Sequence, residues 1–269
     1  MSIFRKNYSK IYNILYSTKN YRSEVNYIIK LLNKFNLKKS ILDLGCGTGK
    51  HLEYFINKNY KVTGVEKNTF MINQANKIVK KYIIKSNIEN LSLKNKFYIV
   101  LSLFNVIGYF NSDQSLNKFF KTVSYHLKKG GIFICDFWFT PAINYIKPNR
   151  RIKYFYHKNF SIKKISKPKI MPNNIIDIKF NFIYKIKSKK TLNLKKNFRA
   201  AEARNEKPKL YPSNNFSFSE NHKIRHFSLK ELVFYANKFG MNYVSSYAML
   251  KNSLPSKKFW SSCIVFQKI

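Results

Sequence analysis

Acidic side chains are what this sequence has least of. Twelve Asp and Glu stand against 51 Lys and Arg in 269 residues, a formal net charge of +39. Such a balance points towards nucleic acid or an anionic membrane surface. Two absences argue against either as a selected function. No RGG, RNP or zinc-knuckle pattern occurs, and no apolar run nears the ~18 residues that a membrane span requires. The lysines are spread end to end among many Asn and Ile, a mixture that drift towards A/T-rich codons produces without any partner. Nonspecific affinity for nucleic acid at low salt is still expected from the charge. Cysteine is scarce too. Cys46, Cys135 and Cys263 lie far apart with no metal-ligand spacing, so packing is their expected role and no metal is expected. The opening MSIFRKNYSK lacks an apolar stretch with a small-residue cleavage site, so no signal peptide is expected and a cytoplasmic location is.

What is present starts with Ile41-Leu42-Asp43-Leu44-Gly45-Cys46-Gly47-Thr48-Gly49-Lys50. It reads as a buried strand that enters a glycine turn and leaves as a helix. Gly45, Gly47 and Gly49 let the backbone turn sharply and bring its N–H groups near a ligand. An amphipathic helix from His51 to Lys58 follows, then a second strand, Lys61 to Val65, with Glu66 at its end. That is a βαβ unit with an acid about 20 residues past the first glycine, where a carboxylate accepts both ribose hydroxyls of an adenosine. A dinucleotide fingerprint needs glycine where Lys50 stands, and a P-loop needs a G-K-[ST] ending that is missing. Asp43 beside the loop is an awkward neighbour for a pyrophosphate. It suits S-adenosylmethionine (SAM), which has no phosphate and carries an ammonium and a sulfonium. A plain strand-to-helix turn is the competing reading. Acids occupy about 4% of positions, so random placement of both Asp43 and Glu66 has a chance of about 0.002.

Residues 8–37 carry Tyr8, Tyr12, Leu15, Tyr16, Val25, Ile28, Ile29 and Leu32 at helical spacing, which predicts two leading helices. Strands near 41–44, 61–66, 82–84, 97–103 and 131–137 alternate with helices, the pattern of an α/β doubly wound, Rossmann-like parallel sheet. From Ile152 to Lys190 basic or polar residues alternate with apolar ones, as in half-buried antiparallel strands. This predicts a β-rich cap inserted after the fifth strand. Residues 195–217 read as a surface loop with one helical turn. Ser228 is placed to cap a helix with Glu231 at the capping-box position and Gly240 at its end. Strands near 242–249 and 260–267 then close the sheet. The domains expected are 1–145 (leading helices and cofactor core), 146–217 (cap and loop) and 218–269 (return to the sheet).

These residues resemble a class I SAM-dependent methyltransferase. The likeness extends to VEKNTFMINQANK after the second strand, Ser86-Asn87-Ile88, Ser102-Leu103-Phe104-Asn105-Val106-Ile107, GGIFICDFW over 130–138, YSKIYNILYSTKNYRSE over 8–24 and Glu220 to Phe227. The resemblance implies SAM as cofactor and an antiparallel last strand. It assigns Tyr12, Tyr21, Asp43, Gly45, Cys46, Gly47, Gly49, Glu66, Met71, Asn87, Ile88 and Leu103 to the cofactor side, with Met71 near the adenine. Three positions depart from the family pattern: Asn13, Asn87 and Tyr98 stand where acids are common.

Methyl transfer from a sulfonium needs alignment, exclusion of water and at most a base, so no nucleophile triad is required. Tyr16, Asn105, His222 and Arg225 are the acceptor-side candidates. The tyrosine face of Tyr8, Tyr12 and Tyr16 serves as a lid or as core packing. Asn105 offers hydrogen bonds to an acceptor or caps a strand end. His222 suits a base near neutral pH, and it and Arg225 fall on opposite strand faces. Trp138 walls an acceptor or fills a junction. The resemblance is with sugar N-methyltransferases, so a sugar or nucleotide-linked sugar is the expected acceptor. An RNA or ribosomal-component methyltransferase and a non-catalytic SAM-fold binding module are the alternatives.

Overall fold

The computed structural model describes residues 3–157, 159–186 and 215–269. The loop expected over 195–217 therefore lies, up to residue 214, outside the described residues. Two helices lead, α1 (Lys6–Leu15) and α2 (Tyr21–Leu32). Then follow β1 (Ser40–Leu44), α3 (Lys50–Ile56), β2 (Lys61–Glu66), α4 (Thr69–Ile72), α5 (Lys77–Lys80) and β3 (Ile83–Lys85). The chain continues through β4 (Phe97–Ser102), α6 (Asp113–His126), β5 (Leu127–Trp138) and α7 (Thr140–Tyr145). Four strands come next: β6 (Arg151–Tyr156), β7 (Phe160–Met171), β8 (Ile175–Ile186) and β9 (Phe216–Arg225). The end is α8 (Leu229–Lys238), β10 (Met241–Ala248) and β11 (Ser261–Lys268).

The chain forms two compact units. The larger comprises Lys19–Pro148, Lys169–Asp177 and Lys223–Ile269. Its seven-stranded sheet has the order β10-β11-β5-β4-β1-β2-β3. Strands β1 to β5 pair in parallel, while β11 runs antiparallel to both β5 and β10. Side-chain alternation sends Leu42, Leu44, Val100, Phe133, Phe137 and Phe266 to a face that packs with buried residues of α6 and α8. Ile41, Ile99, Leu101, Ile132, Ile134 and Val265 occupy the other face, with Val25, Ile28, Leu52 and Phe55 of α2 and α3. Each large apolar side chain sealed in this way contributes roughly 1.5–3 kcal/mol. Burial is nearly continuous in the central strands β1 and β4, because helices cover both faces.

Local signals set the ends of the elements. Ser228 Oγ accepts the Glu231 N–H at 3.2 Å and starts α8, and Gly240 (φ +69) follows its end. Glu231 does not close the capping box back, since its carboxylate is held by Arg225 at 2.7 Å. Strand β5 begins four residues before its expected start at 131. Gly130 (φ +74) makes an irregularity inside the strand instead of a turn ahead of it, where the β4–β5 register shifts between Phe97 and Ile99.

The smaller unit takes in the described residues of Met1–Thr18, Asn149–Pro168 and Ile178–His222. The grouping differs from the expected boundary at 145, because α1 goes with the β-rich segment. Its Tyr8, Ile11, Tyr12 and Leu15 are buried. Tyr8 packs edge-on to Phe182 of β8 with ring centres 5.3 Å apart. The four-stranded sheet runs β6-β7-β8-β9, with β6 and β7 antiparallel.

Candidate active site

The glycine loop joins β1 to α3 through three left-handed residues, Gly45 (φ +80), Gly47 (φ +58) and Gly49 (φ +73). The N–H groups of Gly45 and Cys46 both donate to the Val65 carbonyl, at 2.8 and 3.0 Å, and tie the loop to β2. A side chain is excluded at two of the three. A Cβ on Gly45 would lie 2.6 Å from Val106 Cγ1, and one on Gly49 would lie 2.5 Å from Val79 Cγ1. At Gly47 the nearest atom is Met71 Cε at 3.5 Å, so the apex of the loop is where a ligand has room. Cys46, Ile88 and Leu103 are buried.

Glu66 sits at the end of β2. Its Oε2 accepts the Gly47 N–H at 3.1 Å and its Oε1 accepts the Asn68 N–H at 2.7 Å. Burial pushes its carboxyl up, and these N–H groups pull it part of the way back. Asn87 uses its amide oxygen locally, accepting the Glu89 N–H at 3.3 Å.

Two aspartates share one face of the sheet. Asp43 on β1 is 1% exposed, and its Oδ2 has no hydrogen-bond partner among the described residues. Asp136 on β5 is 5% exposed; its Oδ2 accepts the Asn105 N–H at 3.0 Å, and the Phe104 N–H also donates to its carboxylate. Among the described residues Asp136 Oδ1 has no partner, and neither has the buried Oδ1 of Asn105. Burial raises both aspartates to about 6. Asp43 is pushed further up by Glu66 and Asp136 and held down by His51. Phe104 (φ 69) and Asn105 (φ 58) are consecutive left-handed residues at the exit of β4, so Asp136 straps a strained turn.

A charged group lies alongside. Lys19 Nζ bonds to Glu24 Oε1, and Glu24 Oε2 bonds to His51 Nε2 at 2.7 Å. Desolvation raises Glu24, but His51 and Lys19 outweigh it and leave its carboxyl below the usual range. Lys19 also lies 4.3 Å from the Phe104 ring centre, and Tyr21 packs on His51 at 5.1 Å. Composition and spacing point to Asp43, the glycines and Glu66. They put Asp136 at the end of the fifth strand, where open sheets place ligands, without assigning it a contact, and they assign none to Lys19, Glu24 or His51. The rarity of acids, extended from positions 43 and 66 to positions 24 and 136, carries the missing signal.

The remaining candidates divide between the two units. In the smaller unit Tyr12 packs on Tyr16 at 4.7 Å, and the Tyr16 hydroxyl meets that of Tyr8 at 3.4 Å. His222 is 1% exposed, with Phe4, Tyr8 and Phe180 rings around it. Its Nε2 lies 3.2 Å from Glu220 Oε2, and the Glu220 carboxylate also accepts the Phe4 and Arg5 N–H groups that open α1. Arg225 is in the larger unit, paired with Asp113 at 2.9 Å and Glu231 at 2.7 Å. Trp138 packs on Trp260 at 5.5 Å.

Orphaned carboxylate oxygens at the strand ends and an open glycine apex fit a ligand carrying positive charge and an adenosine, as SAM does. The comparisons agree with that chemistry. Residues 41–131 match the family described as a methyltransferase domain. The chain is similar to a dTDP-3-amino-3,4,6-trideoxy-alpha-D-glucopyranose N,N-dimethyltransferase of Streptomyces venezuelae, 27% identical over 52% of this chain and 60% of that protein. It is also similar to a dTDP-4-amino-2,3,4,6-tetradeoxy-D-glucose N,N-dimethyltransferase of Saccharopolyspora spinosa, 26% identical over 52% and 58%. The chain thus spans less than two thirds of the length of the curated relatives it matches. Two solved structures superpose over nearly the whole chain. DesVI of Streptomyces venezuelae has a TM-score of 0.75 at 18% identity, covering 97% of this chain and 98% of that one. A SAM-bound amino pentose methyltransferase of Micromonospora echinaspora has a TM-score of 0.71 at 14% identity, covering 100% and 99%. With its parallel strands, antiparallel β11 and glycine loop under Glu66, the chain has the class I methyltransferase fold.

Proposed function

We propose that this chain is a SAM-dependent methyltransferase whose acceptor is a small molecule bearing an amino group, a nucleotide-linked amino sugar. The observation that carries this reading is the concentration of acids at one place. A chain of net charge +39 keeps Glu24, Asp43, Glu66 and Asp136 around the strand ends, and two of them hold buried carboxylate oxygens without partners. A cationic ligand relieves that cost. The amino-sugar chemistry of the curated relatives supports the choice of acceptor.

In this reading Glu66 takes the ribose hydroxyls while its N–H bonds to Gly47 and Asn68 hold it in place. Asp43 faces the ammonium of the cofactor, and Met71, Asn87, Ile88, Cys46 and Leu103 wall the adenosine. SAM, when bound, supplies a methyl group already activated on sulfur. The protein orients the acceptor nitrogen and keeps water out. His222 is sealed by three rings and occupied by Glu220, which gives it a structural part in holding the start of α1; we do not place it as the base. The RNA reading rests on net charge alone. A methyl-transfer assay with SAM and dTDP-linked amino sugars, followed by mass spectrometry of the sugar, tests the proposal. Mono- or dimethylated amino sugar is expected. Methylation of RNA and of none of the sugars would overturn it.

A further inference from the structure

We propose that Asp136 receives the amino group of the acceptor on its Oδ1, and that this contact selects nitrogen over oxygen as the methylated atom. The inference rests on the methyltransferase reading above and names a residue within that same site.

Three observations carry it. The first is that the two ends of the Asp136 carboxylate do different work. Oδ2 accepts the Asn105 N–H at 3.0 Å, the Phe104 N–H donates to the same group, and among the described residues nothing donates to Oδ1 although the side chain is 5% exposed. A buried carboxylate oxygen without a donor is costly, so the fold retains it at a penalty that a ligand N–H removes. The second is its location. Asp136 sits near the end of β5 and fixes the left-handed Phe104–Asn105 turn at the exit of β4. In open α/β sheets ligands bind at the carboxyl ends of the strands.

The third is that Asp43 does not duplicate it. Through β4, Asp43 pairs with Leu101 and Leu101 with Ile134, so Asp136 lies two strands over and two residues further along. Strand spacing and rise put the two Cα atoms about 12 Å apart. Both side chains leave the same face, so one ammonium cannot donate to both. Asp43, beside the glycine loop, is left for the cofactor's amino group. A sulfonium has no N–H to give. The group that satisfies Asp136 Oδ1 is therefore a donor on the acceptor, and a charged donor does so best.

The same oxygen accounts for a proton. An acceptor amine arrives as an ammonium and must lose one proton before its lone pair can form a bond. That proton passes from the nitrogen to Asp136 Oδ1, leaving a neutral amine and a neutral carboxyl. Burial sets Asp136 to about 6, so the carboxylate is ionised at neutral pH and still able to take the proton. The charged and titratable groups around it are Lys19 and Glu24 from α2 and its lead-in, Asp43 from β1, and the Cys135 and Cys263 thiols. His51 of α3 acts on Asp43 and Glu24. An acceptor hydroxyl offers the same oxygen a neutral hydrogen bond, with less to gain.

The experiment measures binding without turnover. Calorimetry in saturating S-adenosylhomocysteine compares the dTDP-3-amino sugar of the Streptomyces venezuelae relative with its 3-hydroxy counterpart. The wild type is expected to bind the amino form at least tenfold more tightly at pH 7.5. Asp136→Asn keeps an oxygen for the turn and removes the charge, so it is expected to bind the two forms alike while retaining its affinity for SAM. A wild type without preference, or an Asp136→Asn protein that keeps the preference, overturns the inference and leaves the methyltransferase reading standing. Binding of neither sugar, with no methyl transfer to any amino sugar, overturns both. A second measurement needs no variant. The sugar amine stays protonated as the pH falls from 7.5 to 5, so the amino-over-hydroxy ratio should fall towards one through about pH 6 as Asp136 is neutralised. An unchanged ratio overturns the proposal even if Asp136→Asn does not fold.

Discussion

Replacing Glu66 separates the part this residue plays in the fold from its part in binding. Its carboxylate holds the Gly47 N–H at 3.1 Å and the Asn68 N–H at 2.7 Å, so Glu66→Ala releases two backbone donors as well as the ribose contacts. Each lost backbone bond is worth about 1 kcal/mol, and the protein should lose about 2 kcal/mol of stability, or roughly 5 °C in Tm. SAM affinity should fall by a further 1.5–3 kcal/mol or so, about ten- to hundredfold. Glu66→Gln behaves differently. It keeps one acceptor oxygen and removes the desolvation penalty that pushes the Glu66 carboxyl up. The two changes oppose each other, so Tm should stay within about 2 °C of wild type. SAM affinity should nevertheless drop nearly as far as in Glu66→Ala, because the charge-assisted bonds are gone. Scanning calorimetry on the free protein and titration calorimetry with SAM give both quantities. A Glu66→Gln protein that binds SAM as tightly as wild type would refute the assignment of the ribose to this carboxylate.

Three further outcomes follow from the geometry. Gly49→Ala combines a left-handed φ of +73 with a Cβ 2.5 Å from Val79 Cγ1 and should cost roughly 2–4 kcal/mol in urea unfolding, while Gly47→Ala, with Met71 Cε at 3.5 Å, should cost about 1 kcal/mol yet still impair SAM binding. His226 is 3% exposed and pushed down to about 4 by burial and Arg225, so the stability it confers is complete above its ordinary 6.5 and is lost as the pH falls from 6.5 towards 4. His226→Gln should therefore gain on wild type by up to about 3 kcal/mol between pH 7 and pH 4, and parallel pH–stability curves would contradict this. Arg225→Ala breaks the pairs with Asp113 and Glu231 and should cost about 1–3 kcal/mol of stability with kcat within a few-fold of wild type; intact stability with a collapsed kcat would return Arg225 to the acceptor side.

Local chemistry made the core legible in the sequence. A buried strand, three glycines with φ above zero and an acid at the next strand end are all encoded within about 25 residues, and each is set by backbone sterics or strand period. The antiparallel closing strand came from family likeness alone. What the sequence hid is non-local or conformational. Asn105 in a left-handed state is an ordinary choice, but Phe104 beside it is not, and nothing in SLFNVI announces that Asp136, over thirty residues on, bonds to both N–H groups. The pairing of Arg225 is hidden in the same way, since its partner Asp113 lies 112 residues away. The tyrosines of α1 were legible as one helix face, whereas their grouping with the inserted strands was not, because helical spacing gives a face and leaves its covering open.

Loss of acids is the dominant bias of this composition, and where it stopped is informative. An exposed carboxylate that makes a lone surface ion pair contributes about 0–1 kcal/mol, so drift can remove it freely. Of the twelve acids, Glu202 and Glu206 lie outside the described residues. Most of the rest do work that a neutral side chain does poorly. Glu220 receives the first N–H groups of α1 and the His222 ring, and Asp113 and Glu231 clamp Arg225 between them. Glu24 bridges Lys19 and His51, Glu66 pins Gly47, and Asp136 straps a strained turn. For Glu220, Asp113, Glu231 and Glu24 structure alone accounts for retention; Glu66 and Asp136 add these structural bonds to the ligand contacts proposed above. Asp43 stands apart. It is sealed in the sheet, its Oδ2 has no partner, and its burial and acidic neighbours all penalise its charge. A fold under pressure to lose acids should have lost this one first, unless its charge is repaid when a cation binds. Asp43→Asn is accordingly expected to raise the stability of the free protein and to weaken SAM binding, a pairing of effects that a purely structural aspartate would not give.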